Sequence, residues 1–446
     1  MPDAFKLFLN KYYPAYIKPP NKLPGNESFT FDITTQYAED YIKMFDSTLS
    51  GFNNSHVYGM LNTYNNELEL NAEVPQFKIG KYNFDNVTLV AKGTKDSLSL
   101  SGEAANINIS DSLNIPLALF RVTARDDTSR VRILTGSNKA INQASLDAQV
   151  LTYNNGVKIE FNPSTFAVNG KVWTIDDKGE LEFRTNTPAS GQLVLRESNQ
   201  EIRVKSKLSE FGDWNDLDVE LKKVNLGDFA PFFAPKSRLE GLISGNIAVE
   251  NPTGNLVILS DEIMAEGFRL DNDSIGDTRI TEVLYDNKTK KLTGKINTLN
   301  QENSLTAGID ISFDPGKAKD NHIALKANNF QIKILERFLG NLFSDMQGYV
   351  TGDFDLLGEF NKLQVVGKGR LKDAGLKVNF TQCFYKVHDT DIELKSTEIN
   401  LDGIVLTDPV TGNPVYLTGG IQHNAFKDMF YDLVVSTRKT GYQRHQ

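Results

Sequence analysis

The chain has 446 residues, 39% hydrophobic and 24% charged, with a formal net charge of -9 and a pI near 5.3. That length suits two or three globular domains or one elongated repeat array, and that composition folds rather than staying disordered. An acidic chain without a local Lys/Arg cluster is not built to hold phosphate backbones, so nucleic acid is excluded as an expected partner.

Residues 1–28 read as an entry segment. Phe5, Leu7, Phe8 and Leu9 are apolar, Tyr12, Tyr13 and Tyr16 follow, and Pro19-Pro20 and Pro24-Gly25 argue against a continuing helix or a central strand. Alternation then begins, with Phe29, Phe31 and Ile33 on one face. Tyr37, Tyr41, Met44 and Phe45 recur at helical spacing and predict a short helix capping the sheet.

Strand patterns resume at Glu67–Leu70, Val87–Val90 and Leu98–Leu100, continue through Ile107 and Ile109, and reach Val131 and Ile133. Asn154-Asn155-Gly156 between two apolar runs is a hairpin signal. This β-rich section spans 29–160. A second, 161–223, contains Phe166 to Trp173, a turn at Asp176-Asp177-Lys178-Gly179, and further two-residue alternation.

An internal repeat follows. Leu239-Glu240-Gly241 through Gly245 to Val249 matches Met346-Gln347-Gly348 through Gly352 to Leu356, a spacing of 107 residues (348 − 241). Each copy is preceded by an apolar cluster: Phe229, Phe232 and Phe233 before the first; Leu335, Phe338, Leu339, Leu342 and Phe343, at amphipathic helical spacing, before the second. The units are 224–328 and 329–436, with a polar tail at 437–446. Gly241, Gly245, Gly348 and Gly352 read as structural positions that permit a bend or a close backbone approach. Trp173 reads as structural too.

The expected fold is therefore all-β dominated. It is an elongated curled sheet, a solenoid-like trough (a β-taco) with a hydrophobic interior and a few short helices. With about 25–30 strands at roughly 4.8 Å spacing, it would span about 120–145 Å.

Three stretches carry a family resemblance: Phe161-Asn162-Pro163 through Trp173, the paired Gly-x-x-x-Gly units, and Ile404 through Gly412-Asn413 to His423 and Phe426. Together they resemble the C-terminal half of the translocation and assembly module TamB (DUF490) family, AsmA-like, bridge-like lipid transfer proteins, most closely the Bacteroidota type. The resemblance implies a trough in the periplasm, anchored in the inner membrane. It also implies phospholipid acyl chains as cargo, with an Omp85-family outer-membrane barrel and β-rich outer-membrane proteins as partners. Neither the anchor nor the terminal region that would meet the barrel is recognisable here. The opening Met1-Pro2-Asp3-Ala4 lacks a signal-peptide pattern, so the expectation is a fragment whose anchor lies upstream.

The alternating residues Ile247 and Val249, Phe354 and Leu356, Ile392 and Leu394, and Ile399 and Leu401 are the candidate groove lining. An ordinary core position is the competing reading for each. An acyl chain in such a groove gains about 0.8 kcal/mol per buried CH₂. No catalytic residue, metal site or cofactor is expected. His56, His322, His388, His423 and His445 show no metal-ligand spacing. His423 reads as a turn or surface hydrogen-bonder, and no nucleophile elbow or Walker loop is present.

Cys383, the only cysteine, excludes an intrachain disulfide and reads as a half-buried strand residue. A scaffold binding client strands by edge pairing is the alternative function. A β-helical glycan-active protein ranks third.

Overall fold

The fold is that of a computed structural model. It describes residues 2–437 apart from 24, 46, 81, 111–112, 137–140, 188–190, 234–236, 272, 301, 360–363 and 425–426. Pro24, Phe426, His445 and the tail beyond 437 lie outside the described residues, as do the side chains of Phe45, Ile109, Phe232, Phe233 and Phe338. Among the described residues the chain forms thirty β-strands, four short α-helices and two 3-10 helices. Every ladder with a described register is antiparallel. The chain divides into two compact units, Met1–Leu239 with Ile247–Gly254, and Glu240–Asn246 with Asn255–Gln446.

The first unit opens with a helix, Pro2–Asn10. The prolines at 19 and 20 lie beyond it, so they do not oppose it, and Pro2 sits in the first turn, where its missing N–H costs nothing. Ala4, Phe8 and Tyr12, spaced by four, are buried with Leu61, Leu68 and Ala124. Asp127 ties down the chain that follows. Its N–H donates to Tyr12 O at 2.7 Å, and its carboxylate accepts from Ala15 N–H at 3.0 Å.

The strands Ser28–Thr34, His56–Asn62, Glu67–Ile79, Tyr82–Gly93, Leu98–Ser110, Leu113–Arg125, Thr128–Thr135 and Ile141–Tyr153 then pair in chain order. The Asn154-Asn155 loop joins Tyr153 to Gly156 as a two-residue hairpin.

Beyond it the order becomes less simple. Ile141–Tyr153 pairs with both Gly156–Phe161 and Ser164–Val168, and Gly156–Phe161 pairs with Glu180–Arg184. Thus the Asp176–Gly179 turn joins strands that do not pair with each other along their length. Trp173 is fully buried, 6.3 Å from the Phe166 ring and 5.6 Å from that of Phe229. Phe229 lies on the helix Leu226–Phe233, and Asp228 on the same helix accepts from Lys171 Nζ at 2.7 Å and Asn169 Nδ2 at 3.2 Å.

The helix expected around Tyr37 exists as Glu39–Phe45, but its apolar face does not cap the sheet. Tyr37, Tyr41 and Met44 are exposed, and the segment is held by Ala38 N–H donating to Asn53 Oδ1 at 2.8 Å. Helical spacing without a facing apolar surface gives an exposed face.

In the second unit the strands run as a meander from Val257–Leu270 to Gln364–Val378, and further strands follow to Lys427–Ser436. A crease crosses its last part. Positive φ occurs at Asp345, Gly348, Asp373 and Gly419, and the register of Phe343–Leu357 against Gln364–Val378 shifts between Ser344 and Tyr349. At the same level the next two strands break. Cys383–Val387 and Thr390–Leu394 pair with the two halves of Gln364–Val378, and Glu398–Asn400 and Val405–Thr407 both pair with Pro414–Asn424. Such irregularities bend strands and tighten twist.

The consequence is a curled wall. Met346 on one side of the crease and Phe354 on the other belong to one strand yet are buried in one core. The amphipathic segment before it is shorter than its pattern suggested: a 3-10 helix Ile332–Leu335, an α-turn Glu336–Leu339, and a strand already begun at Phe343. Ile332, Leu339 and Leu342 pack into the same core.

The four repeat glycines sit where the backbone or a close neighbour leaves little room for a side chain. Gly241, Gly245 and Gly348 have positive φ, and a Cβ on Gly245 or Gly348 would lie 2.6 Å from Glu262 O or 2.5 Å from Asp373 O. At Gly352 a Cβ would press still closer, on Lys368 O.

Candidate functional site

Strand register turns the alternating pattern into rows. In the second unit one row of directly paired positions runs Ile263, Ile280, Ile296, Ala307, Leu325, Phe354, Gly367, Leu394, Ile399, Ile421, Tyr431. It crosses eleven strands without a polar side chain other than the Tyr431 phenol. At about 4.8 Å per step it is roughly 48 Å long. Its one glycine, Gly367, lies close under Phe354, whose ring comes within 2.8 Å of where a Cβ would stand.

The first unit has the same construction. One row runs Phe31, Gly59, Leu70, Ala91, Leu100, Val122, Val131, Ala148, Phe161. Beside it run Ile33, Val57, Ala72, Leu89, Gly102, Phe120, Ile133, Leu146. Leu70, Leu89, Leu100, Phe120, Val131 and Ile133 are only half-buried. Large apolar side chains in mid-sheet that keep solvent access describe an apolar face with room above it.

At its crease the second unit holds a half-open cavity of about 750 Å³. That is within the roughly 300–1,000 Å³ range of ligand sites. Its wall includes Leu371, Leu376, Ile392, Leu394, Ile399, Leu401, Leu417 and Ile421. Ile332, Leu339 and Leu342 line it as well, and so do Tyr431, Leu433 and Val435 of the last strand. No charged residue lines it among the described residues; the polar atoms come from Asn341, Asn379, Thr381, Asn400 and two tyrosines.

The sequence candidates divide accordingly. Ile392, Leu394, Ile399 and Leu401 line this cavity together. Phe354 and Leu356 are buried in the core packed around it. Ile247 and Val249 belong to the first unit and are half-buried. The first-unit rows and the cavity-lining Tyr431, Leu433 and Val435 read from sequence as alternating strand residues but were not among the groove-lining candidates.

Titratable groups lie elsewhere. His56 Nε2 is 2.8 Å from Asp32, His322 Nε2 2.6 Å from Asp355, and His388 Nε2 2.8 Å from Thr407. His423, expected at the surface, is buried in the strand Pro414–Asn424, and that burial holds its pKa below the usual imidazole range. Cys383, expected to be half-buried, is exposed at the start of its strand.

Asp147 gathers Arg130, Asn162 and Arg132. The Arg130 guanidinium, first among these, holds its carboxyl well below the usual range against the upward push of burial. No group of three or more His, Cys, Asp or Glu side chains could hold a metal among the described residues, and no described helix is long and apolar enough to cross a membrane. In comparison with known proteins the chain matches no family model, no curated protein and no solved structure.

Proposed function

We propose that the chain is a section of a non-enzymatic scaffold of the TamB type, which conducts phospholipids in a hydrophobic groove across the periplasm. In that reading it also assists outer-membrane protein assembly with an Omp85-type barrel. The observation that carries it is the row from Ile263 to Tyr431, which meets a 750 Å³ uncharged cavity through Leu394, Ile399, Ile421 and Tyr431. An acyl chain lying along such a row meets similar surroundings at every strand, so its free energy varies little as it slides. Each CH₂ withdrawn from water contributes about 0.8 kcal/mol.

The test is titration with cis-parinaric acid, whose fluorescence rises in apolar surroundings. Saturable binding to the intact chain is expected, weakened in Ile392→Trp, which fills the cavity. The absence of any saturable rise with a folded sample sinks the reading.

Pairing with client strands is a second reading, favoured by the strand Lys427–Ser436. Among the described residues it pairs on one side only, with Pro414–Asn424, while Phe430, Tyr431, Val434 and Val435 are exposed. An apolar edge strand is a template for another strand. Cross-linking from position 434 to an added outer-membrane-protein hairpin peptide, in register, is what that reading expects.

A further inference from the structure

Among the described residues, the two most exposed large apolar side chains are Phe380, 93% exposed, and Val410, 91% exposed. Both belong to the second unit, and each stands on a turn rather than on a strand face. Phe380 lies between the strands Gln364–Val378 and Cys383–Val387, Val410 between Val405–Thr407 and Pro414–Asn424. Lys386 pairs antiparallel with Thr407, so the strand that leaves the first turn lies beside the strand that enters the second. Both turns therefore leave the sheet at one end. Phe343, paired with Val378, and Ser436, paired with Tyr416, lie at the same end. The half-open cavity reaches it too, since Asn341, Phe343, Val378, Asn379, Phe380 and Thr381 line it.

Both turns are held by hydrogen bonds. Asn379 Nδ2 donates to Gly340 O at 2.8 Å, and Gln382 N–H donates to Val378 O at 2.8 Å. In the second turn the Asp408 carboxylate accepts from Val410 N–H at 2.9 Å and from the Thr411 hydroxyl at 2.8 Å, and Gly412 N–H donates to Asp408 O at 2.8 Å. Polar groups already paired within a turn add less to the cost of leaving water. The charged residues within three positions of either tip are Lys377 and Asp408, one of each sign. The end therefore offers two fixed apolar points and an apolar opening, with no net charge around the tips.

That geometry selects the kind of partner. An aromatic side chain gives up roughly 150–250 Å² on burial, and a valine less. A stable protein interface takes about 800 Å² from each side, well beyond what two tips supply. A bilayer needs no matching surface, because apolar side chains sink into the boundary between headgroups and acyl chains. We propose that this end of the second unit docks on a lipid bilayer, with Phe380 and Val410 inserted and the cavity's opening turned toward the membrane. The docking stands apart from the groove; that bilayer lipid passes from there into the cavity rests on the groove reading.

The test is flotation of the full chain with phosphatidylcholine vesicles. Wild type, Phe380→Ser, Val410→Ser and the double variant are compared, with circular dichroism as the check on folding. Phe380→Ser is expected to lower partitioning by about tenfold, the weight of one large apolar side chain withdrawn from water. Val410→Ser lowers it by less, and salt changes it little. Phe380→Trp locates the contact: vesicles of phosphatidylcholine brominated on its acyl chains quench the added emission. Phe313→Trp is the control, 53% exposed and next to the strand end at Ser312, which lies with His322 and Leu357 at the opposite end of the sheet; its emission is not quenched. A folded wild-type chain that does not float, or a double variant that floats equally, overturns the proposal. Uptake of brominated lipid without flotation keeps the groove reading and overturns the docking. Flotation that depends on Phe380, without lipid uptake, keeps the docking and removes the groove reading. Self-association without vesicles, abolished in the double variant, assigns the end to a second copy of the chain and overturns the proposal.

Discussion

Phe120 lies directly opposite Gly102, and its ring occupies the place of the missing side chain. A Cβ on Gly102 would come within 2.8 Å of the ring's Cε1 and closer still to Cζ. Phe354 likewise lies directly opposite Gly367, where a Cβ would meet the ring's Cδ1 at 2.8 Å but the Asp353 carbonyl sooner. A large ring opposite no side chain keeps the bulk of a row even as it crosses the strands. Gly102→Ala should displace the ring and cost about 1–3 kcal/mol, the range for overpacking. In the Phe120→Leu background the ring's share of that cost should disappear while the Thr88 carbonyl, 2.6 Å from the same Cβ, keeps its own, and a double-mutant cycle by urea denaturation measures the coupling.

Asp228 is the buried charge on which the helix Leu226–Phe233 rests. Lys171 and Asn169 reach it from the hairpin that presents Trp173. Removing one partner of a buried pair leaves the other uncompensated. Lys171→Met should therefore destabilise by about 3–5 kcal/mol, whereas Lys171→Met with Asp228→Leu should recover much of the loss. Trp173 fluorescence follows unfolding of this region directly.

Tyr12 gives the N-terminal helix an alkaline signature. Burial, reinforced by the charge of Asp96, pushes its phenol up to about 12, and its O–H donates to Thr94 O. The folded form thus keeps a proton that the unfolded form loses near pH 10. Stability contributed by neutral Tyr12 is complete below about pH 10 and falls as pH rises toward 12. Tyr12→Phe should flatten that slope in a denaturation series across the same range.

Asp147 supplies the opposite slope. Its carboxyl is held below the ordinary aspartate value by Arg130, then Asn162 and Arg132. The folded form remains charged where the unfolded form takes up a proton. The contribution is present above about pH 4 and fades as pH falls below it. Asp147→Asn should lessen the acid dependence of stability while leaving the neutral-pH fold intact, as thermal melts from pH 3 to pH 7 would reveal.

Much of the fold is legible in the sequence because strand alternation is local. Phe29, Phe31 and Ile33 announce their strand, and Asn154-Asn155-Gly156 announces its hairpin. Register is not local. Nothing in the sequence near Leu394 tells that it stands beside Gly367 and Ile399, or that Leu100 stands beside Val122, because those positions meet only across hydrogen-bonded strands. For that reason Phe354, Leu394 and Ile399 could be chosen as inward-facing while the row joining them stayed invisible.

Helical spacing misled in the opposite way. Tyr37, Tyr41 and Met44 share a face that meets no sheet, whereas Ala4 and Phe8, four residues apart in a short segment, are buried.

The most direct measurement of the groove is the lipid content of the chain purified without detergent, read by native mass spectrometry and by extraction after denaturation. The comparison is with Val435→Asp, which places a charge on the cavity's lining at a residue 61% exposed, where the fold tolerates it. The account predicts phospholipid bound to the wild-type chain and a clear loss in the variant at unchanged circular dichroism. A folded wild-type chain that carries no lipid and takes up none from added vesicles would contradict it.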